Sequence, residues 1–193
     1  MSLIYCYRCT LPMQDCVCQQ APSIQLPKPC SLLFHPREYS KHSNTGRLVK
    51  IATNVQSETW HRLKNHQQSA QFEGFALLYP HEPEFLSDTT NKTPLKDQHD
   101  IKGYLLIDAT WQESRKMLRQ SPWLAQLPRI SLNAPNSKYA LRRNQSNLGL
   151  STIETVSHLL FEHNQRNSAK ELLNFLQIFQ SAYLQAQQAG LLK

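Results

Sequence analysis

Two kinds of apolar pattern alternate along the 193-residue chain: short uninterrupted runs and longer stretches of helical period, the signature of an α/β protein. Gly103-Tyr104-Leu105-Leu106-Ile107 is too continuously apolar for a half-exposed strand and fits one buried on both faces, as in a parallel sheet. Ser31-Leu32-Leu33-Phe34-His35 and Phe75-Ala76-Leu77-Leu78-Tyr79 read the same way, stopped by Pro36 and Pro80. A shorter fourth strand is expected over 127–132. A helix is predicted from Trp111, because Thr110 and Glu113 have the spacing of a capping box. Others are predicted after Ser43-Asn44-Thr45, over 57–68, and after the box Ser151-Thr152-Ile153-Glu154. A last one follows the box Ser168-Ala169-Lys170-Glu171, with Leu172, Phe175, Leu176, Phe179 and Tyr183 as its apolar stripe and Gly190 as its C-terminal cap. Residues 80–102 and 133–149 read as polar loops.

Charge adds a direction. The formal net charge is +7, from 21 Lys and Arg against 14 Asp and Glu, and it is clustered. Residues 1–64 hold eight basic and three acidic residues and 113–143 seven and one, whereas 71–100 hold two and six. Basic clusters of this kind suggest a polyanionic partner, nucleic acid before an anionic membrane. A basic solvated surface is the plainer alternative. No run is long and apolar enough to span a bilayer, and residues 1–5 lack the apolar core of a signal peptide, so a cytoplasmic location is expected.

In a reducing compartment five cysteines call for something other than disulfides. Cys6-Tyr7-Arg8-Cys9 and Cys16-Val17-Cys18 bring four thiolates at C-x2-C and C-x-C spacing, a set suited to one tetrahedral Zn2+. Free or redox-active thiols are the alternative. Cys30 lies beyond a Pro-rich linker and is expected to pack as a small hydrophobe. Residues 1–22 would then be a metal-dependent knuckle and 30–193 the main domain.

Asp108, in Asp108-Ala109-Thr110-Trp111, follows the buried third strand and precedes a helix N-terminus, where open α/β sheets bind ligands. Helix capping explains the same residue. His35 reads as a structural hydrogen-bonder at the first strand's exit. Ser43-Asn44-Thr45-Gly46-Arg47 offers a helix start and a cation to a carboxylate or phosphate, or is an ordinary cap. Arg115, Lys116 and Arg119 share one helix face suited to phosphates, and Ser137-Lys138-Tyr139-Ala140-Leu141-Arg142-Arg143 sets cations beside one aromatic. The five glycines form neither G-x-G-x-x-G nor a P-loop, and H-E-x-x-H and G-x-S-x-G are absent. Rossmann dinucleotide binding, Walker NTPase, zincin and α/β-hydrolase chemistry thus have no support.

Asp108, Thr110 and Trp111, the cysteine cluster, Ser43 to Leu48, Ser137-x-Tyr139-x-Leu141-Arg142 and Leu150-Ser151-Thr152-x-Glu154 together resemble the DTW-domain family, in order and over nearly the whole chain. The resemblance implies a SPOUT-like knotted α/β fold, with a mainly parallel sheet flanked by helices and a small N-terminal zinc-binding knuckle. It also implies a tRNA-uridine aminocarboxypropyltransferase, moving the 3-amino-3-carboxypropyl group of S-adenosylmethionine to uridine N3 and releasing methylthioadenosine. The target would be the variable loop for bacterial members and the D loop for eukaryotic ones. Carried onto this sequence, Asp108, Thr110 and Trp111 are the expected catalytic residues. Ser43, Asn44, Thr45, Gly46, Arg47, Tyr79, Pro80, Leu132, Leu150, Ser151, Thr152 and Glu154 are expected around S-adenosylmethionine. Cys6, Cys9, Cys16 and Cys18 are expected on a structural Zn2+, and Arg8, Lys50, Arg115, Lys116, Tyr139 and Arg142 against tRNA. No membrane or obligate protein partner is indicated, and a monomer is favoured. The alternatives are a SPOUT-type RNA methyltransferase and a non-catalytic zinc-containing RNA-binding protein.

Overall fold

The computed structural model describes residues 3–63, 65–79, 101–132, 139, 141 and 150–192. Pro80, Arg142 and most of both predicted loops lie outside them. The chain forms two compact units, one of residues 28–39 and 55–133, the other of 1–27, 40–54 and 134–193.

The first unit is a parallel sheet with helices packed on it. Its strands are β1 (Cys30–Phe34), β2 (Gln56–Thr59), β3 (Phe75–Leu78), β4 (Gly103–Asp108) and β5 (Arg129–Ile130). They lie in the order β2-β1-β4-β3-β5, every pair parallel. The apolar runs of β1 and β4 form its centre, as their continuous hydrophobicity requires. From β1 the chain moves to β2 on one side, and from β4 to β5 on the other. The crevice beyond the carboxyl ends of β1 and β4 is therefore the topological switch point of the sheet.

Leu33, Leu77 and Leu105 point to one face, where Phe72, just after α2 (Asn65–Gln71), Met117 and Leu118 of α3 (Trp111–Gln120), and Trp123 and Leu124 of α4 (Pro122–Gln126) cover them. Phe72 stacks on Trp123 with ring centroids 5.7 Å apart. At the start of β4 the chain runs so close to its neighbours that a Cβ on Gly103 would collide with the Pro29 carbonyl and, at 2.7 Å, with the Phe75 ring. Two expectations are corrected here. The helix expected over 57–68 is instead edge strand β2, paired to Ser31 through Phe34, followed by a separate α2. The strand expected over 127–132 pairs only at Arg129–Ile130.

The second unit contains α1 (Gly46–Ala52), α5 (Thr152–Glu162) and α6 (Arg166–Gln188). The helices α5 and α6 form a hairpin whose turn is fixed by Gln165 N–H donating to the Leu160 carbonyl at 2.9 Å and by Asn164 at φ 61°. Ser157 Oγ donates across the hairpin to the Ala169 carbonyl at 2.8 Å. The final helix starts at Arg166, ahead of the expected Ser168 box, with no side-chain cap from Gln165. Gly190, at φ +71°, ends it in the left-handed conformation that favours glycine. Among the described residues no helix is long and apolar enough to cross a membrane.

Candidate functional site

At the switch point Asp108 is the last residue of β4, paired with Phe34 and only 2% exposed. Strand alternation puts its side chain on the face of Tyr104 and Leu106, opposite the helix-covered face of Leu105. Beyond it Thr110 caps α3 as its sequence predicts. Glu113 N–H donates to Thr110 Oγ1 at 3.3 Å, while Glu113 Oε2 accepts from Thr110 N at 3.0 Å and from its hydroxyl at 2.7 Å. The box is complete with these two residues, so the cap does not call for Asp108.

His35, following β1, joins the two sides of the crevice. Its amide donates to the Asp108 carbonyl at 2.9 Å, and its Nδ1 lies 3.5 Å from Glu113 Oε1. The same Nδ1 accepts from the Arg37 amide at 3.3 Å, an arrangement suited to neutral imidazole with its proton on Nε2. The ring stacks on Trp60 with centroids 5.8 Å apart, and Trp60 Nε1 donates to Ser121 Oγ at 2.9 Å. Burial holds the His35 pKa below its ordinary value; the Glu113 carboxylate opposes this and Arg37 adds to it.

Beside these residues, Tyr79 carries its hydroxyl 3.1 Å from Ser114 Oγ and meets Trp111 edge to face at 5.5 Å. The Arg129 guanidinium lies over the Tyr79 ring at 5.9 Å. Tyr79, Trp111 and Ser114 thus brace one another, and Thr110 is held by Glu113. Leu132 and Arg115 are half-buried and Lys116 is exposed.

In the helical unit, Asn44, Thr45 and Gly46 are buried at the start of α1, where Asn44 Oδ1 accepts from the Arg47 amide at 3.1 Å. Asn44, not Thr45, supplies the side-chain cap. Tyr139 donates its hydroxyl to the Ser43 carbonyl at 2.5 Å and is 2% exposed. Its ring offers no face to solvent, which corrects the expectation of base stacking at this residue: it braces the Ser43 segment. Ser151 and Glu154 are buried in a second capping box, with Glu154 Oε2 accepting from the Ser151 amide at 2.8 Å and hydroxyl at 2.6 Å. Leu150 and Thr152 flank it half-buried, and Lys50 is exposed.

The same unit gathers the four cysteines. The Sγ atoms of Cys6, Cys9, Cys16 and Cys18 all lie within 4.8 Å of one another. Cys6 to Cys18 is 3.7 Å and Cys9 to Cys16 is 3.8 Å, too long for a disulfide. A tetrahedron with Zn–S bonds of about 2.3 Å has edges of about 3.8 Å, so the donor set fits zinc in number, chemistry and spacing. Burial pushes the Cys9 thiol up to about 11 and the Cys18 thiol higher still, with the neighbouring thiols adding to the rise at Cys18. For Cys6 burial acts upward too, but hydrogen bonds from the Cys9 and Arg8 amides and from neighbouring thiols hold it at about 7. The raised Cys9 and Cys18 thiols disfavour their charged forms, and a divalent cation would reverse that preference. Cys30, buried outside the cluster, is pushed up to about 12 by burial and packs as the expected hydrophobe.

Sequence reading missed the link from His35 to Glu113. A strand exit and a capping box each pointed to one partner, but only the parallel register of β1 and β4 joins them.

A parallel α/β sheet with D-x-T-W at its switch point, in a chain that also carries a four-thiol centre, defines the class. The DTW domain family model matches residues 3–184, and the chain belongs to that family. Among curated proteins it is similar to tRNA-uridine aminocarboxypropyltransferase 2 of Drosophila melanogaster, 25% identical over 185 residues, covering 87% of this chain and 70% of that protein. No solved structure matches the chain.

Proposed function

We propose that this protein is an S-adenosylmethionine-dependent tRNA-uridine aminocarboxypropyltransferase with a SPOUT-related fold. The observation that carries this reading is the DTW domain match over residues 3–184, with the buried Asp108 of its D-x-T-W motif at the sheet's switch point. The name of the Drosophila relative supports the same reaction.

In this reaction uridine N3 attacks the terminal carbon of the aminocarboxypropyl group, the bond from that carbon to sulfur breaks, and its electron pair leaves with methylthioadenosine. The sulfonium activates all three attached carbons, so orientation decides which group moves. Uridine N3 is a weakly acidic imide and must lose its proton to attack well. Asp108 is the assigned acceptor for N3–H, as base or as the group that orients the uridine toward water. Thr110 and Trp111 hold the turn that follows Asp108, through the Glu113 box and the Tyr79 ring.

The carboxylate of S-adenosylmethionine is assigned to the segment from Ser43 to Arg47. Within that segment Asn44 Oδ1 accepts from the Arg47 amide, and the Arg47 guanidinium is the assigned cation. Tyr79, Pro80, Leu132 and the turn from Leu150 to Glu154 are assigned to the remainder of the cofactor. Arg8, Lys50, Arg115, Lys116 and Arg142 are assigned to tRNA phosphates. The target base must leave its stack, which costs least in a tRNA loop. Zinc on Cys6, Cys9, Cys16 and Cys18 is structural, since four thiolates leave no open coordination position. On this reading residues 1–22 are a zinc knuckle, 30–193 the catalytic domain, and the location cytoplasmic. Incubation with S-adenosylmethionine and unmodified tRNA tests the reading: methylthioadenosine should accumulate in step with a heavier uridine. Release of S-adenosylhomocysteine instead identifies a methyltransferase.

A further inference from the structure

We propose that the C-x2-C turn is a docking surface for a single-stranded stretch of RNA, with Tyr7 as the platform for an unpaired base and Arg8 as the contact to a neighbouring phosphate. The proposal rests on tRNA being the substrate.

Eight large apolar side chains are exposed among the described residues, and five of them, Leu3, Ile4, Tyr5, Tyr7 and Met13, fall within residues 3–13. Exposed apolar groups concentrated in one short segment mark a contact surface. Tyr5 has an internal explanation: its hydroxyl donates to the Leu191 carbonyl at 2.9 Å and its ring lies 5.3 Å from that of His42. Tyr7 has none. It is 88% exposed and makes no side-chain hydrogen bond or ring contact among the described residues. Arg8 beside it is exposed and forms no ion pair among them.

The turn that carries both is firmly held. Thr10 N–H donates to the Cys6 carbonyl at 2.8 Å, Cys6 N–H to the Leu11 carbonyl at 2.8 Å, and Cys6 and Cys9 are buried beneath. His42 anchors it from α1's approach, its Nδ1 2.8 Å from the Thr10 carbonyl. The ring is thus presented on a fixed support, and little backbone freedom is lost when it is covered.

The kind of occupant follows from the chemistry. A rigid aromatic face next to a cation matches what single strands offer, a base followed by a phosphate, and stacking tolerates any base. Residues 1–27 and 40–54 of the same unit hold four basic residues, Arg8, Lys41, Arg47 and Lys50, against one acidic residue, Asp15, a balance that favours a polyanion.

Affinity of the purified full-length protein for an unmodified tRNA transcript tests this, with zinc content as the check on folding. Tyr7→Phe should bind within about twofold of wild type, and Tyr7→Ala about 5- to 100-fold more weakly with zinc retained. Arg8→Ala should reduce the salt dependence by about one phosphate contact. Photo-crosslinking of wild-type protein to 4-thiouridine-containing tRNA, which needs no variant to fold, should map to residues 3–13. If wild type binds tRNA but Tyr7→Ala binds equally well, or crosslinks fall only elsewhere, this surface is wrong while the tRNA reading stands. A change of oligomeric state in Tyr7→Ala with unchanged tRNA affinity makes a second copy the occupant and overturns it as well. Wild-type protein that binds no tRNA overturns both.

Discussion

His35 Nδ1 stands 3.5 Å from Glu113 Oε1 yet accepts from the Arg37 amide, so the buried imidazole is neutral beside a carboxylate that is already occupied in capping α3. Protonating His35 would cost it the Arg37 hydrogen bond. Burial lowers the pKa of His35 and also that of His158 in α5. The unfolded chain therefore takes up these protons more readily than the folded one. The stability they contribute is present above the unfolded pKa of about 6.5 and is lost as pH falls below it. Urea unfolding at pH 7.5, 6 and 5 should show this decline, and combined His35→Gln and His158→Gln should flatten it. An unchanged slope in that variant would assign the decline to other groups.

Asp108→Asn keeps the shape of the buried residue and removes its charge. Circular dichroism and S-adenosylmethionine binding should stay close to wild type, while transfer to tRNA falls by at least about 100-fold, the lower range for a lost acid–base group. Near-normal turnover would remove Asp108 from the proton transfer.

The thiol cluster should hold one zinc per chain. Cys9→Ser should lose the metal, because a tetrahedral zinc would draw on all four sulfurs of the cluster. Chelation of the wild-type protein should lower Tm by several degrees, since about 1 kcal/mol corresponds to about 2–4 °C in a domain of this size. Metal analysis that finds no zinc in protein prepared without chelator would contradict the assignment.

Gly103→Ala should destabilise the protein by about 1–3 kcal/mol, as overpacking in a core does, because the added carbon meets the Pro29 backbone and the Phe75 ring. Denaturant titration reads the loss as a lower midpoint with unchanged slope. A midpoint equal to wild type would mean that β4 shifts to make room.

These elements differ in how far the sequence announces them. The strands β1, β3 and β4 are legible because burial on both faces leaves continuous apolar runs, and α3 and α5 because their capping boxes fix the first turn. The edge strand β2 is not: Gln56 to Thr59 is polar and mostly half-buried, β1 is its one strand neighbour in the sheet, and the Gln- and His-rich stretch after it looks helical. The true start of α6 is hidden for the converse reason. Its first turn lacks a side-chain cap, while Ser168 and Glu171 imitate one two residues later.

Candidate residues divide along the same line. The cysteine spacing was sufficient to expect a convergent four-thiol set. Burial was not readable: Tyr139, basic on both sides in sequence, turns its ring inward to Ser43, and His35 meets Glu113 only through the register of parallel strands.

Transfer from S-adenosylmethionine labelled either in its carboxyl group or in its methyl group, into unmodified tRNA, decides whether the protein moves the aminocarboxypropyl group. Carboxyl label is expected in the RNA at a single uridine, with no methyl label. Methyl label in the RNA without carboxyl label would contradict it and make the protein a methyltransferase.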